Sequence, residues 1–103
     1  MDTLEDKVTS ANPLRLSVKT TDSLLVGPNR QREALLISAP LTNRFTVSWD
    51  TTAVLDRGIT LYPLGSPLLL TRQQIGSAIE LPLRSISATA TQNVSVIEFL
   101  RAL

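Results

Sequence analysis

The feature that most constrains this chain is a succession of short runs of alternating apolar and polar residues, separated by Pro and Gly. In the clearest run, residues 44–49, Phe45, Val47 and Trp49 share one face and polar side chains occupy the other. Successive side chains of a β-strand point to opposite faces, so this pattern is typical of a half-buried strand. Turn signals recur about every ten residues, which indicates an all-β fold. We predict an antiparallel β-sandwich or a small jelly-roll-like barrel of about seven or eight strands.

Several further runs support this fold class. They are expected as strands at residues 14–19, 23–26, 33–39, 59–62, 68–71, 78–83 and 94–99, with 85–88 continuing the seventh run after a bend. Residues 33–39 are apolar on both faces, which predicts a central strand covered on two sides. Pro82 lacks a backbone N–H, which predicts an edge or a bulge for its strand. The apolar phase changes between Val96 and Ile97, indicating a bulge or burial on both faces.

The chain has 103 residues, which is enough for one domain with one core. Residues 1–13 are mostly polar, with a weak helical spacing from Leu4 to Val8, and predict an N-terminal arm ahead of a sandwich domain at 14–103. Asp2 and Glu5 stand where a secretory signal would be basic, and no apolar stretch approaches the length of a membrane span. We therefore expect a soluble protein that is made in a cytoplasm.

The composition of the chain excludes most of the common types of catalytic site. The chain has neither His nor Cys, so a Ser–His triad, a thiolate metal site and a disulfide framework are excluded. The formal net charge of +1 is too small for electrostatic capture of nucleic acid or of an anionic membrane. Only 18% of residues are charged, below the roughly 25% of an ordinary domain. This low charge density favours a protein with apolar surface that a partner covers.

Two candidate sites remain to be weighed against simple structural roles. Asp50, Asp56 and Glu80 are the carboxylates that a small hydrolase would need, but no spacing rule links them, and Asp is a common turn residue. The same region lacks the Asp/Asn/Gly pattern of a calcium loop, so we expect no metal and no cofactor. Trp49 and Tyr62 could stack on a sugar, although Trp49 is in phase with the apolar face of its strand, which favours the core.

Four motifs carry a resemblance to a known class of proteins. They are Asn29-Arg30 before Leu35-Leu36-Ile37, then Phe45-Thr46-Val47-Ser48, then Gly58-Ile59-Thr60-Leu61-Tyr62-Pro63 with Gly65, and a terminal Val94-Ser95-Val96-Ile97-Glu98. The succession from Pro28 to Phe99 resembles small β-sandwich structural proteins of tailed-bacteriophage virions, the head decoration or cement class. Ala39 and Leu64 depart from the turn residues that are usual in that class.

The resemblance implies a non-enzymatic virion protein, made in the host cytoplasm, that binds and stabilises a phage head. It would form a homo-oligomer, such as a trimer, and bind the major capsid protein or another virion protein, with no nucleic acid, membrane or cofactor. The expected partner contacts lie in the arm, in the turn before the central strand and among loop cations: Leu4, Val8, Asn29, Arg30, Arg32, Arg57 and Arg72. The alternative is a carbohydrate- or receptor-binding module of a phage fibre or tail, which predicts that Trp49 and Tyr62 are exposed together.

Overall fold

Two four-stranded antiparallel sheets, packed face to face, make up the computed structural model, which describes residues 8–102. The strands are β1 (Ser10–Val18), β2 (Ser23–Val26), β3 (Arg32–Ile37), β4 (Phe45–Trp49), β5 (Ile59–Leu61), β6 (Leu68–Thr71), β7 (Leu83–Ser87) and β8 (Gln92–Leu100). The first sheet has the order β1-β8-β3-β6 and the second β2-β7-β4-β5. All connections except β4–β5 cross between the sheets, which is the topology of an eight-stranded jelly roll. The predicted all-β sandwich is confirmed.

The core between the sheets is built almost entirely from aliphatic side chains. Its buried members are Val18, Leu25, Val26, Leu35, Ile37, Phe45, Val47, Leu61, Leu70, Ile79, Leu83, Val94 and Val96. Most of them come from alternate positions of their strands, as the period of two requires. Trp49 packs against this cluster and is half-buried, so its predicted place on the core-facing side of β4 is confirmed. Tyr62, in contrast, is exposed.

The central strand β3 and the last strand β8 pair with each other in the first sheet. Burial in β8 alternates without a change of phase, because the buried position after Val96 belongs to Glu98 and not to Ile97. The bulge that the sequence suggested for this strand lies instead in β3, between Arg32 and Ala34. Ile97 is half-buried on the opposite side of β8, so the strand carries apolar residues on both faces, as predicted.

The strand predicted at 78–83 is wrong, and so is the expectation of a polar loop at residues 73–77 ahead of it. A short helix α1 (Arg72–Ile75) and a 3₁₀ helix (Gly76–Glu80) fill this segment. Thr71 begins α1 with a reciprocal capping box in which Gln74 is the second member. The next strand, β7, starts after Pro82 and lies between β2 and β4, so it is not an edge strand. Of the two predicted alternatives, an edge or a bulge, the structure has an irregularity: the pairing with β2 shifts register between Leu24 and Val26, next to the start of β7. Within residues 8–102, no helix is long and apolar enough to span a membrane.

The predicted boundary between the arm and the sandwich domain, at residue 14, lies four residues too late. Strand β1 begins at Ser10, which pairs with Leu100, and Pro13 pairs with Ile97. Residues 10–13 therefore belong to the first sheet and not to the arm. Pro13 is tolerated because β1 is an edge strand, where a missing N–H need not remove a ladder bond. Leu4, the predicted contact residue of the arm, lies outside the described residues.

Candidate interaction surface

Arg32, one of the predicted contact residues, lies inside the protein. Its side chain is 1% exposed, and Nε donates to Glu98 Oε2 at 3.0 Å. The guanidinium also donates to the carbonyl oxygens of Gly27, Ile79 and Leu81. These bonds tie the β2–β3 turn to the 3₁₀ helix and to β8. The fork geometry of Arg suits such a multiple contact, and the residue stabilises the fold instead of facing a partner.

Arg72 is likewise taken up by ion pairs within the chain. Its Nε lies 3.2 Å from Glu33 Oε1, and one terminal nitrogen lies 2.6 Å from Glu80 Oε2. Arg101 approaches the same two carboxylates at 3.7 and 3.9 Å. The bulge in β3 provides the extra residue, Glu33, that meets these cations. The hydrogen bond from Arg72 lowers the pKa of Glu80, so this carboxylate is ionised at neutral pH.

The structure places the other predicted contact residues on separate elements. Asn29 closes the β2–β3 turn by accepting from the N–H of Gln31, and Arg30 beside it is exposed. Val8 is half-buried just before β1, and Arg57 is exposed in the β4–β5 connection. The sequence therefore predicted a structural turn and several surface cations. These residues lie too far apart in the fold to form one surface.

The three carboxylates of the hypothetical hydrolase do not form a site either. Asp56 pairs with Arg44 at 3.0 Å, and this hydrogen bond lowers the pKa of Asp56. Glu80 is held by Arg72 in a different part of the fold, and Asp50 is exposed in the turn after β4. Among residues 8–102, no group of three or more His, Cys, Asp or Glu side chains could hold a metal ion.

The outer face of the second sheet is largely polar and partly covered, with Ile86 beside Thr46 and an exposed Leu24 on the edge strand β2. It carries Thr46 and Arg84, and the connection from β4 to β5 lies across it. The hydroxyl of Thr46 accepts from the N–H of Asp56, and Asp22 accepts from the N–H of Ala53. The same Asp22 pairs with Arg84 at 2.6 Å, which lowers the pKa of the carboxyl. These polar groups of the outer face are therefore hydrogen-bonded or paired within the chain itself.

The outer face of the first sheet is different, because its central part is apolar. Two rows of directly opposed residues cross all four strands in the order β1, β8, β3, β6. The rows are Pro13, Ile97, Leu36 and Leu69, and beside them Ala11, Phe99, Ala34 and Thr71. They point away from the core, since the row between them contains the core residues Leu35 and Leu70. We call these two rows the apolar face; seven of its eight side chains are apolar, and none is charged.

A groove lies at one end of the apolar face. Its volume is about 290 Å³, and its lining residues are Arg15, Ser38, Ala39, Leu41, Asn93, Val94 and Ser95. Arg15 stands directly opposite Ser95, one row beyond the apolar face. Ser38 and Ser95 are fixed to each other, because Ser38 N–H donates to the Ser95 carbonyl and Ser95 N–H donates to the Ser38 hydroxyl. Among residues 8–102, Arg15 forms no ion pair.

Apolar residues continue past the groove to the loops at this end of the sandwich. Leu41, Tyr62 and Leu64 are each more than half exposed. The N–H of Leu64 donates to the carbonyl of Pro40, which joins the β3–β4 and β5–β6 loops. One signal in the sequence pointed to this region: residues 33–39 are apolar on both faces, although only one face of β3 meets the core.

Comparisons with known proteins bear on the fold and not on the surface. No family model matches the chain, and no curated protein matches it. A solved structure from Bacillus endospore appendages, described as a novel family of disulfide-linked pili, is similar, with a TM-score of 0.52 and 8% identity. The match covers 90% of this chain and 87% of that one. At this identity the likeness shows a shared β-sandwich alone, and this chain has no Cys with which to form a disulfide.

Proposed function

We propose that this chain is a non-enzymatic structural protein that attaches to a larger protein assembly through the apolar face. We further propose that the assembly is a virion and that the chain decorates and stabilises a phage head. The observation that carries attachment is the contrast between the two sheets. One outer face is largely polar and partly covered by the chain's own loop. The other is apolar and uncharged, and Ala11, Pro13 and Leu69 are exposed on it, although Ala34 is buried.

The size of the apolar face favours a repetitive partner over a single tight one. Four strands about 4.8 Å apart and two rows about 7 Å apart cover roughly 270 Å². A stable complex between two proteins usually buries about 800 Å² on each partner. One copy would thus attach weakly, and many copies on a regular lattice, or a homo-oligomer that binds as a unit, would attach firmly. Decoration of a shell meets this requirement.

The virion part of the proposal is supported by the resemblance of residues 28–99 to phage decoration proteins and by the jelly-roll topology, which is common in viral capsid proteins. Its partner would then be the major capsid protein or another virion protein.

The alternative of a sugar-binding module has less support. Trp49 lies at the end of β4 that pairs with Leu83, and Tyr62 follows Leu61, which pairs with Phe45. The two residues are therefore about 17 Å apart along the strand, which is too far for a shared stacking platform.

The test uses purified particles of the phage that encodes the chain. We expect mass spectrometry to find the chain on the shell, and particles lacking it to release their genome at a lower temperature. Re-addition of the recombinant protein would restore heat resistance. If the chain is missing from the particles, or if its removal leaves heat resistance unchanged, the decoration role is wrong.

Two matched leucine variants locate the attachment surface. Leu69 on β6 and Leu24 on β2 are both edge-strand leucines, 44% and 52% exposed, on the outer faces of the two different sheets. We expect Leu69→Lys to abolish binding to depleted particles and Leu24→Lys to bind like the wild type, since only the first places a charge on the apolar face. Equal binding by the two variants would contradict attachment through this face.

A further inference from the structure

We propose that the groove beside the apolar face is a binding site for an extended acidic segment of the partner protein. A carboxylate of that segment pairs with Arg15, and its neighbouring apolar side chains lie along Leu41 and the apolar face. This inference rests on the proposed function for the existence of a partner. It adds the chemistry of the segment and names the residue that anchors it.

The lining of the groove is suited to a single carboxylate. Arg15 supplies a cation with a planar set of donors, which matches the two oxygens of a carboxylate. The Ser38 hydroxyl accepts from a backbone N–H, so its own hydrogen is free to be donated outward. Asn93 adds an exposed amide, and Leu41 with Ala39 provides an apolar wall. A ligand with one negative charge next to an aliphatic group would match both the cation and the apolar wall of the groove.

The charges of residues 8–102 favour a different protein over the described surface of a second copy. Residues 8–102 contain nine cations and six carboxylates. Five of the carboxylates form ion pairs within the chain: Asp22, Glu33, Asp56, Glu80 and Glu98. Four cations have no such pair: Arg15, Lys19, Arg30 and Arg57. The described surface of a second copy thus offers one unpaired carboxylate, Asp50, against four unpaired cations, so complementarity favours an acidic heterologous surface.

The test is an NMR titration of the full ¹⁵N-labelled chain with short blocked peptides. The probes are Leu-Glu-Leu and its uncharged analogue Leu-Gln-Leu, both acetylated and amidated. We expect the Glu peptide to shift the amide signals of Arg15, Ser38, Asn93 and Ser95, and to bind about fivefold more tightly than the Gln peptide, as one partly exposed ion pair allows. This difference would shrink at high salt.

Arg15→Gln and Arg57→Gln form the matched pair of variants, since both residues are exposed and neither forms an ion pair within residues 8–102. We expect Arg15→Gln to remove the preference for the Glu peptide and Arg57→Gln to keep it. Equal binding of the two peptides to the wild type, or equal loss in the two variants, overturns the inference. Tighter binding of glucuronate, or of a peptide of residues 1–7 of this chain, would assign the groove to a sugar or to a second copy and would also overturn it.

Particle binding separates this inference from the proposed function. If wild-type protein binds depleted particles and Arg15→Gln binds equally well, the groove is not an anchor, although the proposed function stands. If the wild type does not bind particles, the proposed function fails whatever the peptides do.

Discussion

The buried pair of Arg32 and Glu98 gives the sharpest prediction about the stability of this fold. Arg32→Met keeps an unbranched side chain of similar length but removes the guanidinium. Glu98, whose side chain is only 8% exposed, then keeps a charge without its partner. The carbonyl oxygens of Ile79 and Leu81 also lose a donor in a place where water has little access.

The expected loss is large compared with the stability of the whole domain. Removing one member of a buried ion pair costs about 3–5 kcal/mol, because the remaining charge is left desolvated. A domain of this size is stable by about 5–15 kcal/mol in total. The variant should therefore lose about a fifth or more of its free energy of unfolding, and its Tm should fall by roughly 15–30 °C. Replacing both residues, as Arg32→Met with Glu98→Leu, should recover at least about 1 kcal/mol, since no uncompensated charge remains.

Urea unfolding at pH 7, followed by Trp49 fluorescence and far-ultraviolet circular dichroism, measures these free energies. The control is Arg44→Met, which breaks the pair with Asp56, where the side chains are 37% and 50% exposed. This control should cost much less, because water and salt screen an exposed pair. If Arg32→Met costs no more than Arg44→Met, the structural role of the buried pair is refuted.

Two further predictions concern the backbone and the response to acid. Gly58→Ala should destabilise the fold more than Gly76→Ala: φ is positive at both residues, but only at Gly58 would a Cβ meet an atom within 4 Å, the Val47 carbonyl oxygen at 2.5 Å. Urea midpoints of the two variants test this ranking, and equal midpoints would contradict it. The pKa of Asp22 is lowered by its hydrogen bond to Arg84. Its contribution to stability is therefore present above the ordinary Asp pKa near 4 and is lost as the pH falls through the lower folded value, so stability should decline below about pH 4. Asp22→Asn should weaken that decline, and an unchanged acid profile would exclude the role of this pair.

Local pattern was sufficient to predict the elements that depend on neighbours in the sequence. Alternation over residues 44–49 gave both the strand β4 and its buried face, since the period of two is a property of any strand. The run at 33–39 predicted a central strand, and β3 is central in its sheet. The segment 73–83 was mispredicted, because the capping box of Thr71 with Gln74 starts a helix whose signal is only four residues long.

The candidate surface could be predicted only in part. Apolar residues on both faces of β3 were visible in the sequence and indicated a need for cover on two sides. The sequence does not show which sheet face is covered by a loop of the chain itself. The β4–β5 connection could lie over either sheet until the strand order is known. Arg32 was chosen as a contact residue because an Arg in a turn is usually exposed, and its partner, Glu98, lies 66 residues away.

The amino-acid sequence by itself therefore determined most of the strands, their inward faces and the absence of His and Cys as catalytic groups. These features follow from residue type and short-range periodicity. The tertiary structure alone decided the pairing of Arg32 with Glu98, the alignment of two apolar rows across four strands and the position of Arg15 at the end of those rows. The physical reason is that such contacts join residues far apart in the chain, and they exist only once the register between strands is set.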